Sequence, residues 1–274
     1  MKTFLVTTVL VSLLLTNSNS KTDWEKDNLK GLVKSITSIS YDGNYTSEES
    51  NFPDSAYGGS TTTLYDEFGY KVEERHTFAA NRNVDAYVTK FERNANSQLV
   101  KESKYTLSDS LISSKTYEYD SNGILSRVNH YDKNVTLTGW AVYYFDLQNK
   151  DVYRTEGFDA KGKQIDIWKF NRNEGHDTAI SSCYSRKNKF RYAHKFVYDT
   201  AGQLIEHTNY DENDKVFYKM SIAYLAFDQH GNWTKRISTY ALLDKNSLRM
   251  KKVFKRLKIT DTTYTTTIRS LEYY

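Results

Sequence analysis

The sequence predicts an all-β protein, an antiparallel meander of about fourteen strand–turn repeats, and three observations carry this prediction. The chain is rich in residues that suit a pleated, half-buried surface, with 23 tyrosines, 13 phenylalanines and 4 tryptophans but a single proline. An aromatic residue recurs every 12 to 17 positions, and a turn-forming residue follows it at a fixed distance. A tight turn reverses the chain, so successive strands are expected to be antiparallel neighbours.

The repeat is defined by an aromatic anchor in each unit. The residue four positions after the anchor is Gly, Asn or Asp in ten of the fourteen units, and these residues best tolerate a left-handed backbone. The anchors are Tyr65, Phe78, Phe91, Tyr105, Tyr119, Tyr131, Phe145, Phe158, Phe170, Tyr184, Tyr198, Tyr210, Phe227 and Tyr240.

The turns have a chemical signature, because the residue directly after the anchor is Asp in eight units. An Asp at this position can accept hydrogen bonds from backbone amides further along the turn, while a glycine takes a positive φ angle. The clearest turn pairs are Asp66 and Gly69, Asp120 and Gly123, Asp159 and Gly162, Asp199 and Gly202, and Asp228 and Gly231.

The size of the sheet constrains its shape. Strands of about nine residues are about 30 Å long. Strongly twisted sheets rarely stay open beyond about ten strands, so this sheet is expected to curl or to fold into two packed layers.

The N-terminal residues 1–20 are predicted to be a signal peptide. Lys2 precedes an apolar run from Phe4 to Leu15, and small residues from Ser18 to Ser20 provide a cleavage site. We therefore expect an exported protein, either periplasmic or at the cell surface or secreted, with no transmembrane segment after cleavage.

The mature chain is predicted to have three parts. Residues 21–64 would form an opening strand and a polar loop, and residues 65–247 the hairpin repeats. Residues 248–274 would form a terminal β-hairpin that turns at Thr260 and Asp261, although a helix over 248–258 also fits the pattern.

The repeat units resemble a known family. The segments YDEFG, YDSNGIL, YDTAGQLIEHTNYD and FDQHGNWTKR resemble the YD repeats of the RHS family of bacterial surface and secreted proteins. The opening WEKDNLKGLVKSI and the closing IRSLEYY resemble segments of small exported repeat proteins of Gram-negative bacteria, over about residues 24–274. The resemblance implies a shell or scaffold, sometimes linked to carbohydrate binding, and no particular reaction.

The sequence offers no pattern typical of an active site. Its six histidines are scattered, and none belongs to an HExxH or His/Cys pattern, so we expect neither a metal nor a cofactor nor an enzyme. The single cysteine, Cys183, is expected to be a small buried residue. The net charge of +4 argues against a nucleic-acid partner.

Three functions stay open. The first is a binding platform for glycan or envelope polysaccharide, with Trp140, Tyr143, Tyr153, Trp168 and Trp233 as stacking residues, unless these fill the inside of the curled sheet. The second is a structural module that docks another exported protein through its sheet edges. The third is an outer-membrane barrel, which needs an outward apolar band that charged strands such as LVKESKYTL do not offer.

Overall fold

A computed structural model describes residues 21–43, 57–78, 86–146, 151–173, 175, 177–242 and 262–274 of the chain. The predicted signal peptide and the segment 248–261 lie outside the described residues. One short helix, α1 (Asp23–Lys26), precedes sixteen strands. The strands are β1 (Val33–Asp42), β2 (Tyr57–Tyr65), β3 (Lys71–Phe78), β4 (Tyr87–Arg93), β5 (Leu99–Thr106), β6 (Leu111–Tyr119), β7 (Leu125–Asp132), β8 (Leu137–Phe145), β9 (Val152–Asp159), β10 (Gln164–Arg172), β11 (Thr178–Ser185), β12 (Phe190–Tyr198), β13 (Leu204–Asp211), β14 (Val216–Phe227), β15 (Trp233–Leu242) and β16 (Thr262–Tyr273).

The strands form a closed antiparallel barrel in which each strand pairs with the strands before and after it in sequence. Ile39 of β1 lies opposite Ser60 of β2 on one side and opposite Ile268 of β16 on the other, which closes the ring. The predicted all-β meander is confirmed. The sheet curls instead of splitting into two layers, and closure pairs the backbone groups that the first and last strands would otherwise expose.

The predicted turn chemistry is present in the described hairpins. In the β2–β3 turn, Oδ1 of Asp66 accepts hydrogen bonds from the amides of Phe68 at 3.0 Å and Tyr70 at 2.9 Å. The amide of Gly69, at φ +85°, donates to the Asp66 carbonyl at 3.0 Å. The same Asp-to-amide pattern recurs at Asp120, Asp132, Asp159, Asp199, Asp211 and Asp228.

The opening region differs from its prediction as a strand and a polar loop. Trp24 lies in α1, which begins with a capping box between Thr22 and Glu25, and β1 starts only at Val33. The strand β2 begins at Tyr57, inside the region predicted to be loop, because its β-branched Thr61–Thr63 run suits a strand. Residues 33–42 and 57–64 are therefore barrel strands and not a separate part of the chain.

The C-terminal strand also differs from its prediction as half of a local hairpin. Thr262–Tyr273 does form a strand, but its two hydrogen-bonded neighbours are β15 and β1.

Candidate functional site in the barrel lumen

The mouth segment, residues 22–32, crosses one end of the barrel. Asp23 contacts Arg93 of β4, and Asn28 donates to the carbonyl of Ala201 in the β12–β13 turn at 2.8 Å. β4 and β12 are eight strands apart in a ring of sixteen, which is about 38 Å along the wall. Five residues reach at most about 18 Å, so the segment must pass across the mouth.

The partners of the mouth segment identify the inner face of the wall. Asp27 accepts a hydrogen bond from the Tyr65 hydroxyl at 2.8 Å, and Trp24 packs with Tyr65 and Ile36. Side chains alternate between the two faces along a strand, and paired residues share a face, so this assignment extends around the ring.

The inner face carries most of the large aromatic side chains of the strands. They include Tyr87, Phe91, Tyr117, Tyr119, Tyr143, Phe145, Trp168, Phe170, Tyr192, Phe196, Tyr198, Tyr218, Tyr224 and Tyr240. Among the described residues, every ring contact on this face joins side chains at most two strands apart. The aromatics therefore line the inner wall, and within the described residues they do not pack across the barrel, as expected for sixteen strands.

An aromatic band runs along the inner face from β10 to β15. Trp168 makes ring contacts with Tyr192 at 5.5 Å and with His194 at 5.9 Å. Phe196, His207, Tyr218 and Tyr240 continue the band. Beneath its rings lie the small, buried side chains of β11, which are Ala179, Ser181 and Cys183.

Two histidines lie at the centre of the aromatic band. Nδ1 of His194 lies 3.0 Å from Nε2 of His207 and 2.6 Å from Oδ1 of Asn209. Burial lowers the pKa of both histidines, and the neighbouring His194 helps to lower the pKa of His207 to about 4. The pair is therefore neutral at physiological pH and offers hydrogen-bonding nitrogens among apolar rings.

A polar sector covers the inner face of β3 to β7. Glu102 accepts hydrogen bonds from Nζ of Lys115 and from the Tyr117 hydroxyl, both at 2.8 Å. Nζ of Lys104 lies 3.2 Å from the centre of the Tyr87 ring, and burial lowers the pKa of Lys104. The lumen thus places charged hydrogen-bonding groups on one side and aromatic rings on the other.

The mouth segment is fixed at several points. Nε1 of Trp24 donates to the carbonyl of Val33 at 2.8 Å. Asn232 in the β14–β15 turn exchanges two hydrogen bonds of 2.8 Å with the backbone of Lys30. These bonds hold the segment across the mouth.

The five residues predicted to form a stacking platform do not share one surface. Tyr143, Trp168 and Trp233 lie on the inner face, and Tyr143 and Trp168 flank Thr155 in one row of paired residues. Trp140 lies on the outer face, stacked on Phe158 at 5.5 Å.

Tyr153 is also on the outer side, with 48% of its surface exposed and its ring beside Tyr144. The structure therefore brings together two of the five predicted residues, Tyr143 and Trp168.

The sequence did not single out the two histidines of the aromatic band or the arginines Arg236 and Arg269. Each pair lies on neighbouring strands of the inner face. The alternation of side chains between the two faces of β12, β13, β15 and β16 could have identified these four residues, but only if the pairing of the strands were known.

The outer face carries many charged side chains. Lys219 pairs with Glu206 at 2.7 Å, and Lys101 pairs with Glu92 at 2.9 Å. Other charged side chains on this face are Arg75, Lys90, Glu118, Arg127, Glu156, Lys169 and Lys195. Within the described ranges, no helix has the length and apolar composition to cross a membrane.

Metal-ligating side chains do not cluster in the described part of the chain, where no group of three His, Cys, Asp or Glu could hold an ion. Cys183 is buried, and burial raises the pKa of its thiol to about 11.

Known structures resemble this one in fold. A porin-like protein from Bacteroides uniformis superposes with a TM-score of 0.56 at 9% identity, covering 88% of this chain and 98% of that one. This similarity establishes a shared barrel fold. No protein-family model and no curated protein sequence matches the chain.

Two weaker similarities have TM-scores too low to establish a shared fold. A TcdB2-TccC3 structure gives 0.31 at 13% identity, covering 78% of this chain and 12% of that one. A DUF1329 family protein from Desulfovibrio piger gives 0.27 at 10% identity, covering 88% and 86%.

Proposed function

We propose that this protein is an exported, non-catalytic binding barrel that holds a glycan or envelope polysaccharide in its lumen. The observation that carries the proposal is the aromatic band on the inner face, which lies across the barrel from a polar sector of the same face. Aromatic rings can stack on the apolar faces of sugars, and the groups around Glu102 and Lys115 can bind hydroxyls. The YD-repeat resemblance and its implied carbohydrate binding belong to the same proposal.

The mouth segment favours a barrel that is obstructed at one end over a pore that is open at both ends. It crosses one end of the barrel and bonds turns on opposite sides, so ligand would enter through the other end. The bonds at Trp24, Asp27 and Lys30 would all have to break before this end could open fully.

The charged outer face favours a barrel that works in water. Lysine or arginine at the lipid-facing midplane of a membrane barrel costs about 2–4 kcal/mol each. Lys90 and Lys169 would each incur such a cost, since both lie on the outer face in the middle of their strands.

A glycan panel tests the proposal, with purified residues 21–274 and calorimetric affinities. We expect saturable binding that weakens at least tenfold, or about 1.4 kcal/mol, in Trp168→Ala, because this ring lies in the lumen. Trp140→Ala is the matched control, since it removes an equally large ring from the outer face.

Equal losses in the two variants would place the ligand elsewhere, and no binding by folded wild-type protein would contradict the proposal. Circular dichroism of each variant identifies any that fail to fold.

An outer-membrane pore is the second candidate, favoured by the closed ring of sixteen strands and the fold shared with a porin-like protein. Fractionation of the native host separates the two candidates. Release by salt or osmotic shock supports the water-borne barrel, whereas release only by detergent supports the pore. Docking through sheet edges is not retained, because β1 and β16 pair with each other and leave no free edge.

A further inference from the structure

Two arginines lie side by side on the inner face near the crossed mouth. Arg236 of β15 and Arg269 of β16 both place their guanidinium groups over the Trp233 ring, at 4.5 Å and 4.0 Å from its centre. Tyr224 lies beside the same ring at 5.8 Å. Two like charges therefore share one aromatic surface.

Neither arginine has a carboxylate to neutralise it. Among the described residues, no carboxylate oxygen lies within 4.0 Å of a nitrogen of either guanidinium. Arg269 is only 8% exposed, and Nε of Arg236 is buried without a hydrogen-bond partner. Burying cations in this way is costly unless an anion accompanies them.

Asp27, the carboxylate whose charge acts on Arg269, is already engaged. Asp27 of the mouth segment accepts the Tyr65 hydroxyl and pairs with Lys71 at 2.9 Å. Burial, together with the nearby charge of Arg236, lowers the pKa of Arg269 to about 10, although Asp27 and Tyr65 oppose this shift. Arg269 nevertheless remains cationic at neutral pH.

Small hydroxyl-bearing side chains lie beside the arginines on the wall. Ser38 lies opposite Arg269 in the β1–β16 ladder, and Thr267 lies opposite Arg236 in the β15–β16 ladder. These side chains are small and carry hydroxyl donors.

A cleft opens next to Arg269. The β15–β16 ladder ends at Lys235 and Ile268, whereas β16 continues along β1 to Tyr273. The strands part there and leave a cleft of 370 Å³ lined by Asp228, Gln229, Thr234, Arg269, Ser270, Leu271 and Tyr273.

We propose that Arg236 and Arg269, positioned by Trp233, form an anion-binding subsite for the acidic group of a glycan, a carboxylate, phosphate or sulfate. This inference rests on the proposed function and adds that the ligand is acidic. The planar guanidinium fork matches the paired oxygens of such groups, and a doubly charged subsite favours them over neutral sugars.

The test measures thermal stability and tryptophan fluorescence of residues 21–274 with sulfate, phosphate or glucuronate, against chloride at equal ionic strength. We expect each oxyanion that binds to raise the melting temperature, because it binds only the folded state. In Arg236→Gln and Arg269→Gln, the dissociation constant should rise about 10- to 100-fold. Lys219→Gln, on the outer face, is the matched control and should behave as wild type.

The melting temperature without added anion separates a binding role from a structural role. An unpaired buried cation destabilises the empty barrel, so Arg269→Gln should melt at the wild-type temperature or above while losing the anion response. A lower melting temperature with an unchanged anion response would assign Arg269 a structural role and overturn the proposal. Arg269→Lys, which keeps the charge, should retain part of the response.

Uronate-containing and neutral oligosaccharides of equal length distinguish this inference from the proposed function. Tighter binding of the acidic chain, lost in the arginine variants, supports both. Equal binding of the two chains overturns the acidic subsite but leaves the glycan-binding barrel intact. A response to small anions without binding of either chain supports an anion site and contradicts the glycan function.

Discussion

At the turn glycines, single residues decide whether the chain can follow the barrel path. Gly69 and Gly202 occupy equivalent turns with φ angles of +85° and +75°. A Cβ atom at Gly69 would lie 2.4 Å from the Trp24 ring, whereas at Gly202 its nearest neighbour is Nδ2 of Asn28 at 3.9 Å. Gly69 is therefore required for two reasons, the left-handed backbone of its turn and the close approach of Trp24 from the mouth segment.

Gly69→Ala is expected to destabilise the fold by about 2–4 kcal/mol, because the clash with Trp24 adds to the backbone strain. Gly202→Ala is the matched control and should cost about 1–2 kcal/mol, since only the backbone term applies. Chemical denaturation of both variants measures the difference. Equal losses would mean that Trp24 does not pack on the β2–β3 turn.

The turn residues could be predicted from the sequence, but the faces of the aromatics could not. The Asp and Gly positions follow a local rule, and they adopt the expected hydrogen bonds and φ angles. From Phe91 to Tyr210, however, successive anchors alternate between faces; Tyr119, for example, points into the lumen and Tyr131 points outward. Trp140 and Tyr143 are three positions apart in the regular part of β8 and therefore lie on opposite faces, although they were assigned to one surface.

Among the elements, β12 and β13 carry the groups most sensitive to pH. His194 and His207 contact each other on the inner face, and burial lowers the pKa of both. The folded state binds fewer protons there than the unfolded state, in which histidine titrates near 6.5. The contribution of the neutral histidine pair to the stability of the fold is therefore complete above about pH 6.5, and it is lost as the pH falls toward 4.

We expect the free energy of unfolding to fall by about 2–3 kcal/mol through His207 between pH 7 and pH 4, in addition to other acid effects. The double variant His194→Gln/His207→Gln should show a correspondingly shallower pH dependence. His230→Gln, in the exposed β14–β15 turn, serves as the control. An unchanged slope in the double variant would mean that the pair is not buried in its neutral form.

The mouth segment shows the limit of prediction for elements. The capping box of Thr22 and Glu25 is a local helix signal that the sequence contains. The crossing itself depends on contacts with Arg93, Ala201 and Asn232, which are distant in sequence and adjacent only after the barrel has closed.

At the scale of the whole molecule, the sequence predicted the meander but not its closure. The aromatic repeat accounts for the central strands, whereas β1, β2 and β16 are rich in Ser and Thr, and neither β1 nor β16 contains an anchor of the repeat. Those three strands join the two ends of the sheet, so the sixteen-stranded ring could not be counted from the repeat. Closure also creates the lumen, and with it every contact of the candidate site.

We expect the ligand to be bound inside the barrel. Hydroxyl-radical footprinting with and without a saturating glycan tests it most directly. We expect the ligand to protect Tyr143 and Trp168 on the inner face, while Trp140 and Tyr153 on the outer face keep their rates of modification. Protection of Trp140 and Tyr153 with no change at Tyr143 and Trp168 would contradict it.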